Sequence, residues 1–290
     1  MRQLFPSGLV VVAALFALAA PARADEAAGH YTAALQLKRQ GKTAEAIAEC
    51  EKAIELRPGY AAATFTLGNL WRAQGDYARA ATAFEKAVKL QPKDAPSHAN
   101  LGAAYVRLKR LDEGLKELEA ALAIDDKDYE TQVSTGFAYK QKGDFKKAIE
   151  HLQRATELKP DDPAGWTNLG VAKSKSDDKE GAVVAFKKAV ELKPDVAENH
   201  FNLATVYRRQ RNTEEAIKEY EVAIAKDPTY ANAYYDLGIL YSQQKRNEEA
   251  LASFKKYLEA GGRGNADDRK DAEDRIKTFE GAGVGKGRKK

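Results

Sequence analysis

Cysteine occurs once in 290 residues, at Cys50, so no disulfide can form within the chain. Histidine is also scarce, with only His30, His98, His151 and His200. No His/Cys cluster has metal-ligand spacing, and no glycine-rich phosphate loop or nucleophile elbow is present. The sequence therefore predicts no enzyme and no cofactor. Neither sign of charge dominates, with 47 basic and 43 acidic residues. Arg2 and Arg23 lie in the leader described below, and Lys286, Arg288, Lys289 and Lys290 in a C-terminal tail. The body between them carries slightly more acid than base, and it lacks the strongly basic face of a nucleic-acid-binding domain.

Long apolar runs are missing except near the start. Arg2 precedes an apolar stretch over 8–20, and Ala22, Arg23 and Ala24 follow as a small-x-small pattern. Residues 1–24 thus read as a secretory signal peptide, with Asp25 opening the mature chain. The run is shorter than a bilayer crossing requires, and no cysteine follows it to carry a lipid. An exported chain without disulfides suits a bacterial periplasm.

What the sequence does contain is a repeat. Residues 61–94, AAATFTLGNLWRAQGDYARAATAFEKAVKLQPKD, recur at an offset of 34 without insertion or deletion. With Ala61 as position 1, position 8 reads Ala34, Gly68, Gly102, Gly136, Gly170, Ala204, Gly238. Position 20 reads Ala46, Ala80, Gly114, Ala148, Ala182, Ala216, Ala250. Position 24 is bulky in Phe84, Leu118, Leu152, Phe186, Tyr220 and Phe254; Cys50 takes that place in the first unit and reads as a small core residue. Position 32 is Pro58, Pro92, Pro160, Pro194 or Pro228, with Asp126 replacing it in the third unit. Positions 4, 7, 8 and 11 make one helical stripe, and positions 20, 21, 24, 27 and 28 a second. Small residues at 8 and 20 let the two axes approach, and the proline ends the second helix.

These residues resemble the tetratricopeptide repeat family, whose unit is a helix–turn–helix. The resemblance implies an all-α fold: a right-handed α-solenoid, or superhelix, of seven repeats plus a C-terminal capping helix. The repeats fall at 27–60, 61–94, 95–128, 129–162, 163–196, 197–230 and 231–264. Asp25 and Glu26 open a first helix over roughly 27–40, favoured by the helix dipole. The capping helix spans 265–280 with Asn265 as N-cap and Ala272, Ile276 and Phe279 on one apolar face. Residues 281–290 form a basic tail expected to be disordered. Two departures stand out. Lys109 replaces the glycine of position 15 in the third unit. The fifth unit has Lys173 at position 11 where an aromatic is usual, and Trp166 at position 4 is expected to fill the same space.

Because the family motif is mostly packing, it is weak for function. The resemblance implies that the A helices line a concave surface with positions 2, 5, 6, 9, 12 and 13. Position 6 reads Thr32, Thr66, Asn100, Ser134, Asn168, Asn202 and Asp236, a series similar to the asparagine ladder of some long arrays in the family. An amide both donates and accepts, so it can pair with any peptide backbone. Helices packed about 8–10 Å apart would meet about every third residue of an extended chain. Alternatively, these side chains only bond across neighbouring A helices. Position 5 adds Tyr31, Phe65, Phe201 and Tyr235, readable as anchors or as packing. Positions 12 and 13 supply Lys38, Arg39, Arg72, Arg107, Lys140, Lys175, Arg208 and Arg209 without a single acid, which points to an acidic ligand. The family's carboxylate clamp needs lysine at position 5 and asparagine at position 9. Asn69 alone meets the second requirement and no unit meets the first, so that clamp is absent. His30, His98 and His200 all fall at position 4 and read as structural.

The expected function is a non-enzymatic scaffold holding an extended, partly acidic peptide or protein segment. The alternatives are a structural subunit of an envelope assembly, or a glycan or cell-wall adaptor.

Overall fold

The computed structural model describes residues 9–261 and 266–285, and within them the chain is helical throughout, with no strand. The helices are α1 (Leu9–Arg39), α2 (Thr43–Leu56), α3 (Ala61–Ala73), α4 (Tyr77–Leu90), α5 (Ala95–Arg107), α6 (Leu111–Ile124) and α7 (Tyr129–Lys142). They continue as α8 (Phe145–Leu158), α9 (Pro163–Lys175), α10 (Lys179–Leu192), α11 (Ala197–Arg209), α12 (Thr213–Lys226), α13 (Ala231–Gln243), α14 (Asn247–Glu259) and α15 (Ala266–Gly281). They form two compact units divided between Lys142 and Gly143. Within each unit every helix packs on the next, so hairpins stack in sequence order. None of the described helices is long and apolar enough to cross a membrane.

Position 15 makes the hairpin. All seven residues there have positive φ: Gly41, Gly75 and Gly143, but also Lys109 (65°), Asp177 (67°), Arg211 (62°) and Lys245 (61°). This left-handed residue lets the next N–H turn back onto the helix just ended, as Asp76 does to the Trp71 carbonyl (3.0 Å) and Arg246 to Tyr241 (2.9 Å). Helix B then starts at once, and Asp76 caps it by accepting from Arg79 N–H at 2.9 Å.

The two stripes meet as the small and bulky positions require. A Cβ on Gly68 would lie 2.6 Å from the Phe84 ring, and Gly170 and Gly238 face Phe186 and Phe254 at 2.7 Å. The bare backbone of position 8 is thus the floor on which the position-24 side chain rests. Phe84, Leu118, Leu152, Tyr220 and Phe254 are fully buried, each contributing about 1.5–3 kcal/mol of transfer free energy. Cys50 takes the same place and is fully buried; burial pushes its thiol up to about 11.

Position 4 joins neighbouring hairpins through its ring nitrogens. His98 Nδ1 lies 2.7 Å from Glu117 of its own helix B, and Nε2 lies 3.1 Å from the Pro92 carbonyl of the preceding repeat. His200 repeats this with Glu219 (2.6 Å) and Pro194 (3.0 Å), and His30 meets Glu49 at 2.5 Å. Trp166 donates its indole N–H to the Pro160 carbonyl at 2.9 Å.

Three expectations change. The first helix begins at Leu9 rather than near residue 27, because the alanine-rich stretch before it favours helix; Ala22, Arg23 and Ala24 lie inside it. The tail is not wholly irregular: Val284 N–H returns to the Phe279 carbonyl at 2.9 Å, closing a turn over 282–285, while 286–290 lie outside the described residues. Trp166 does not replace the missing aromatic of position 11. Its bond to Pro160 holds it at position 4, and Lys173 turns instead to Asp178 at 3.0 Å. The proposed cap Asn265 also lies outside the described residues. In α15, Ala272 is buried, and Ile276 and Phe279 pack on the core of the second unit.

Candidate functional site

In each unit, positions 2, 5, 6, 9, 12 and 13 of successive A helices gather around open grooves. In the first unit, Arg72 of α3, Ala99, Asn100 and Ala103 of α5 and Ser134 of α7 line a groove of about 510 Å³. In the second, Val171 and Lys175 of α9 with Phe201, Asn202, Thr205 and Arg209 of α11 line one of about 410 Å³. A further groove of about 400 Å³ continues past Phe201 to Arg208, Tyr235 and Asp236. The repeat spacing alone produces this, since residues three, four or seven apart on a helix return to nearly one face.

Two of the amides bond within their own helices. Asn100 donates to the Pro96 carbonyl at 2.8 Å and Asn168 to Ala164 at 3.0 Å, each four residues back on its own helix. Neither of these bonds crosses to a neighbouring A helix. One amide hydrogen is thereby tied down, which orients the side chain. Asn202 is different, for its Nδ2 is buried without a partner among the described residues. Asn69 sits half-buried on α3.

Position 5 is shared between core and groove. Phe65 packs at 5.7 Å from Phe84, Phe201 at 5.5 Å from Tyr220 and 5.0 Å from Tyr230, and Tyr31 at 5.1 Å from Tyr60. Tyr235 lies 5.2 Å from Tyr257 and donates its hydroxyl to Asp271 of α15 at 2.9 Å. Burial and this carboxylate push the Tyr235 hydroxyl well above its ordinary range. Each ring is half-buried, and Phe201 and Tyr235 also line the grooves of the second unit.

The cation row is partly consumed within the chain. Arg209 holds the Ser174 carbonyl (2.7 Å) and Asp177 (2.8 Å), so it closes the hairpin turn of the preceding repeat. Arg107 stacks over Tyr77 at 4.8 Å, and Lys140 lies 4.9 Å from the Phe137 ring. Arg208 approaches Asp236 at 3.5 Å, while its Nε is buried without a partner. Arg72 and Lys175 are exposed in their grooves.

Asp236 faces inward more than its place in the position-6 series suggests. Its side chain is 14 % exposed and accepts from Tyr220 Oη at 2.9 Å. Burial raises its pKa above the ordinary aspartate range, and Arg208 and Tyr220 oppose that rise. Sequence reasoning missed Asp125, Asp128 and Glu130, which stand on the rim of the first groove. Asp125 and Asp128 lie in the connection between repeats, outside the helix stripe, and only the exceptional Asp126 at position 32 marks that connection as unusual; Glu130 is position 2 of α7, inside the stripe.

Comparison with known proteins agrees with this geometry. Family models described as Tetratricopeptide repeat match residues 31–95, 71–135, 163–196 and 201–265, and one described as TPR repeat matches 136–177. No curated protein matches the chain. Among solved structures, the C-terminal part of a TPR repeat-containing protein from Cytophaga hutchinsonii is 18% identical, with a TM-score of 0.70 over 85% of this chain and 99% of that one. MamA from Desulfovibrio magneticus is 27% identical, with a TM-score of 0.56 over 59% and 96%. YrrB, described as a TPR protein with an unusual peptide-binding site, is 23% identical, with a TM-score of 0.55 over 63% and 95%. With its hairpins, its position-15 turns and these matches over most of its length, the chain belongs to the tetratricopeptide repeat family.

Proposed function

We propose that this chain is a non-enzymatic scaffold that holds an extended, partly acidic protein segment along its A-helix face. Proteins of this family act in protein–protein interaction. The observation that carries the finer reading is the pairing, in each unit, of a groove amide with an exposed cation: Asn100 with Arg72, and Asn202 with Lys175. Amides suit a ligand backbone whatever its side chains, and the cations favour carboxylates. Asp125, Asp128 and Glu130 restrict that preference in the first unit, so the second unit is the better seat for acidic residues. The 1–24 leader fits export, and we place the scaffold in a bacterial periplasm.

A peptide array carrying extended segments of graded acidity tests the reading. Lys175→Glu should weaken binding of the acidic members by about tenfold, and Asn202→Ala should weaken all members alike. Binding that ignores both substitutions would remove the groove from consideration.

A further inference from the structure

We propose that a pocket among α8, α9 and α10, built outside the A-helix stripe, takes a tyrosine side chain presented by a partner protein. The other repeats show what belongs there. The position-11 tyrosine of one repeat donates its hydroxyl to the position-25 carboxylate of the repeat before: Tyr105 to Glu85 at 2.7 Å, Tyr139 to Glu119, and Tyr241 to Glu221 at 2.5 Å. Where position 25 is Lys187, the ammonium lies 5.8 Å from the Tyr207 ring. Each such ring seals the seam between consecutive hairpins.

At the seam of α8 and α9 both halves of this bond are missing. Gln153 stands where the glutamate would be and Lys173 where the tyrosine would be. Lys173 is only 17 % exposed and pairs with Asp178 of its own hairpin at 3.0 Å. A pocket of about 390 Å³ remains, lined by Gln153, Trp166, Leu169, Lys173 and Val184. A benzene ring fits in a cavity of roughly 150 Å³, so a phenol is well within its size. Gly181, where four other repeats carry glutamate, leaves room for the Lys173–Asp178 pair, and Val184 at the pocket is 65 % exposed.

The chemistry favours tyrosine over other apolar side chains. Trp166, fixed through its indole N–H to Pro160, and Leu169 offer aromatic and aliphatic walls. Gln153 makes no side-chain hydrogen bond among the described residues, and its amide oxygen can accept a hydroxyl as Glu85 does for Tyr105. The nearby carboxylate Glu157 is already held by Arg154 at 2.9 Å. A visiting tyrosine would restore the seam that Tyr105, Tyr139, Tyr207 and Tyr241 close in other repeats.

The test uses N-acetyl-tyrosinamide and the full chain labelled with nitrogen-15. The chain has two tryptophans, so the indole N–H region holds signals from Trp71 and Trp166, assigned with Trp71→Phe. The Trp166 signal should move saturably while the Trp71 signal stays still. N-acetyl-phenylalaninamide should bind about fivefold more weakly, the loss of one neutral hydrogen bond. Lys173→Tyr, which restores the residue type of the other repeats, should abolish the shift while raising Tm. Val184→Lys, a residue already standing at this position as Lys116 and Lys218, should weaken it. Arg72→Glu and Lys175→Glu should leave it unchanged, which separates this pocket from the A-helix grooves. An unmoved Trp166 signal, or an equal shift in the Lys173→Tyr protein, overturns the proposal; equal affinity for the two amides overturns the choice of tyrosine.

Discussion

Tyr220, fully buried on α12, donates its hydroxyl across the repeat boundary to Asp236 on α13, 2.9 Å away. The carboxylate sits where the other repeats place Asn, Ser or Thr, and burial raises its pKa. Folding therefore favours its protonated form. The stability this group contributes is fully present below the unfolded aspartate value of about 3.9 and is lost as pH rises through the raised native value. Asp236→Asn keeps an acceptor for Tyr220 without the charge. Its Tm should exceed that of the native chain near neutrality, and the difference should vanish toward about pH 4. A difference that stays constant with pH would show that Asp236 is ordinary.

The contact of Gly68 with Phe84 predicts strong coupling. Gly68→Ala should cost about 1–3 kcal/mol, because its Cβ would meet the ring at 2.6 Å. Phe84→Ala should cost about 3–5 kcal/mol. Together they should cost less than the sum, since the smaller side chain makes room for the new methyl. Urea titration of the single and double variants measures this.

The turn at position 15 predicts a gain. Lys245 has φ of 61° where three other repeats have glycine. Lys245→Gly should stabilise by about 0.5–1 kcal/mol, the relief of left-handed strain less the added freedom of the unfolded chain. Gly75→Ala should lose about 1 kcal/mol for the same reason. Thermal melts of the two variants should move in opposite directions.

The position-4 rings predict a rescue. His200→Ala leaves Glu219 and the Pro194 carbonyl without their ring partner and should cost about 1–3 kcal/mol. His200→Trp should recover part of that by donating to Pro194, as Trp166 does to Pro160. If both variants melt alike, the carbonyl bond contributes nothing.

Cys50 should be nearly inert in the folded protein. With its thiol pushed up to about 11 and no exposed surface, alkylation at about pH 8 should be slow and should accelerate on unfolding. A thiol-reactive dye followed along a urea series checks this.

Much of the fold is legible in the sequence because its physics is local and repeated seven times. A stripe of small and large residues at 3.6-residue spacing admits one pairing of helices, and Pro92 or Pro194 marks where each pair ends. The stripe that faces the grooves is readable for the same reason. What each groove side chain does is not. Asn100 and Asn202 share a position, yet one bonds to its own helix and the other has a buried, unpartnered amide nitrogen. Arg209 and Lys175 also share one, yet the first is spent on Asp177 and Ser174.

From the sequence alone came the all-α class, the 34-residue unit, the small floor at position 8 and the bulky plug at position 24. The tertiary structure decided which polar groups are already occupied. It revealed that position-4 rings and position-11 tyrosines bind groups six to twenty residues earlier in the chain, and that Lys173 leaves such a place open. Helical periodicity depends only on nearest neighbours along the chain, whereas hydrogen bonds between hairpins depend on side-chain directions that are set only when the hairpins stack.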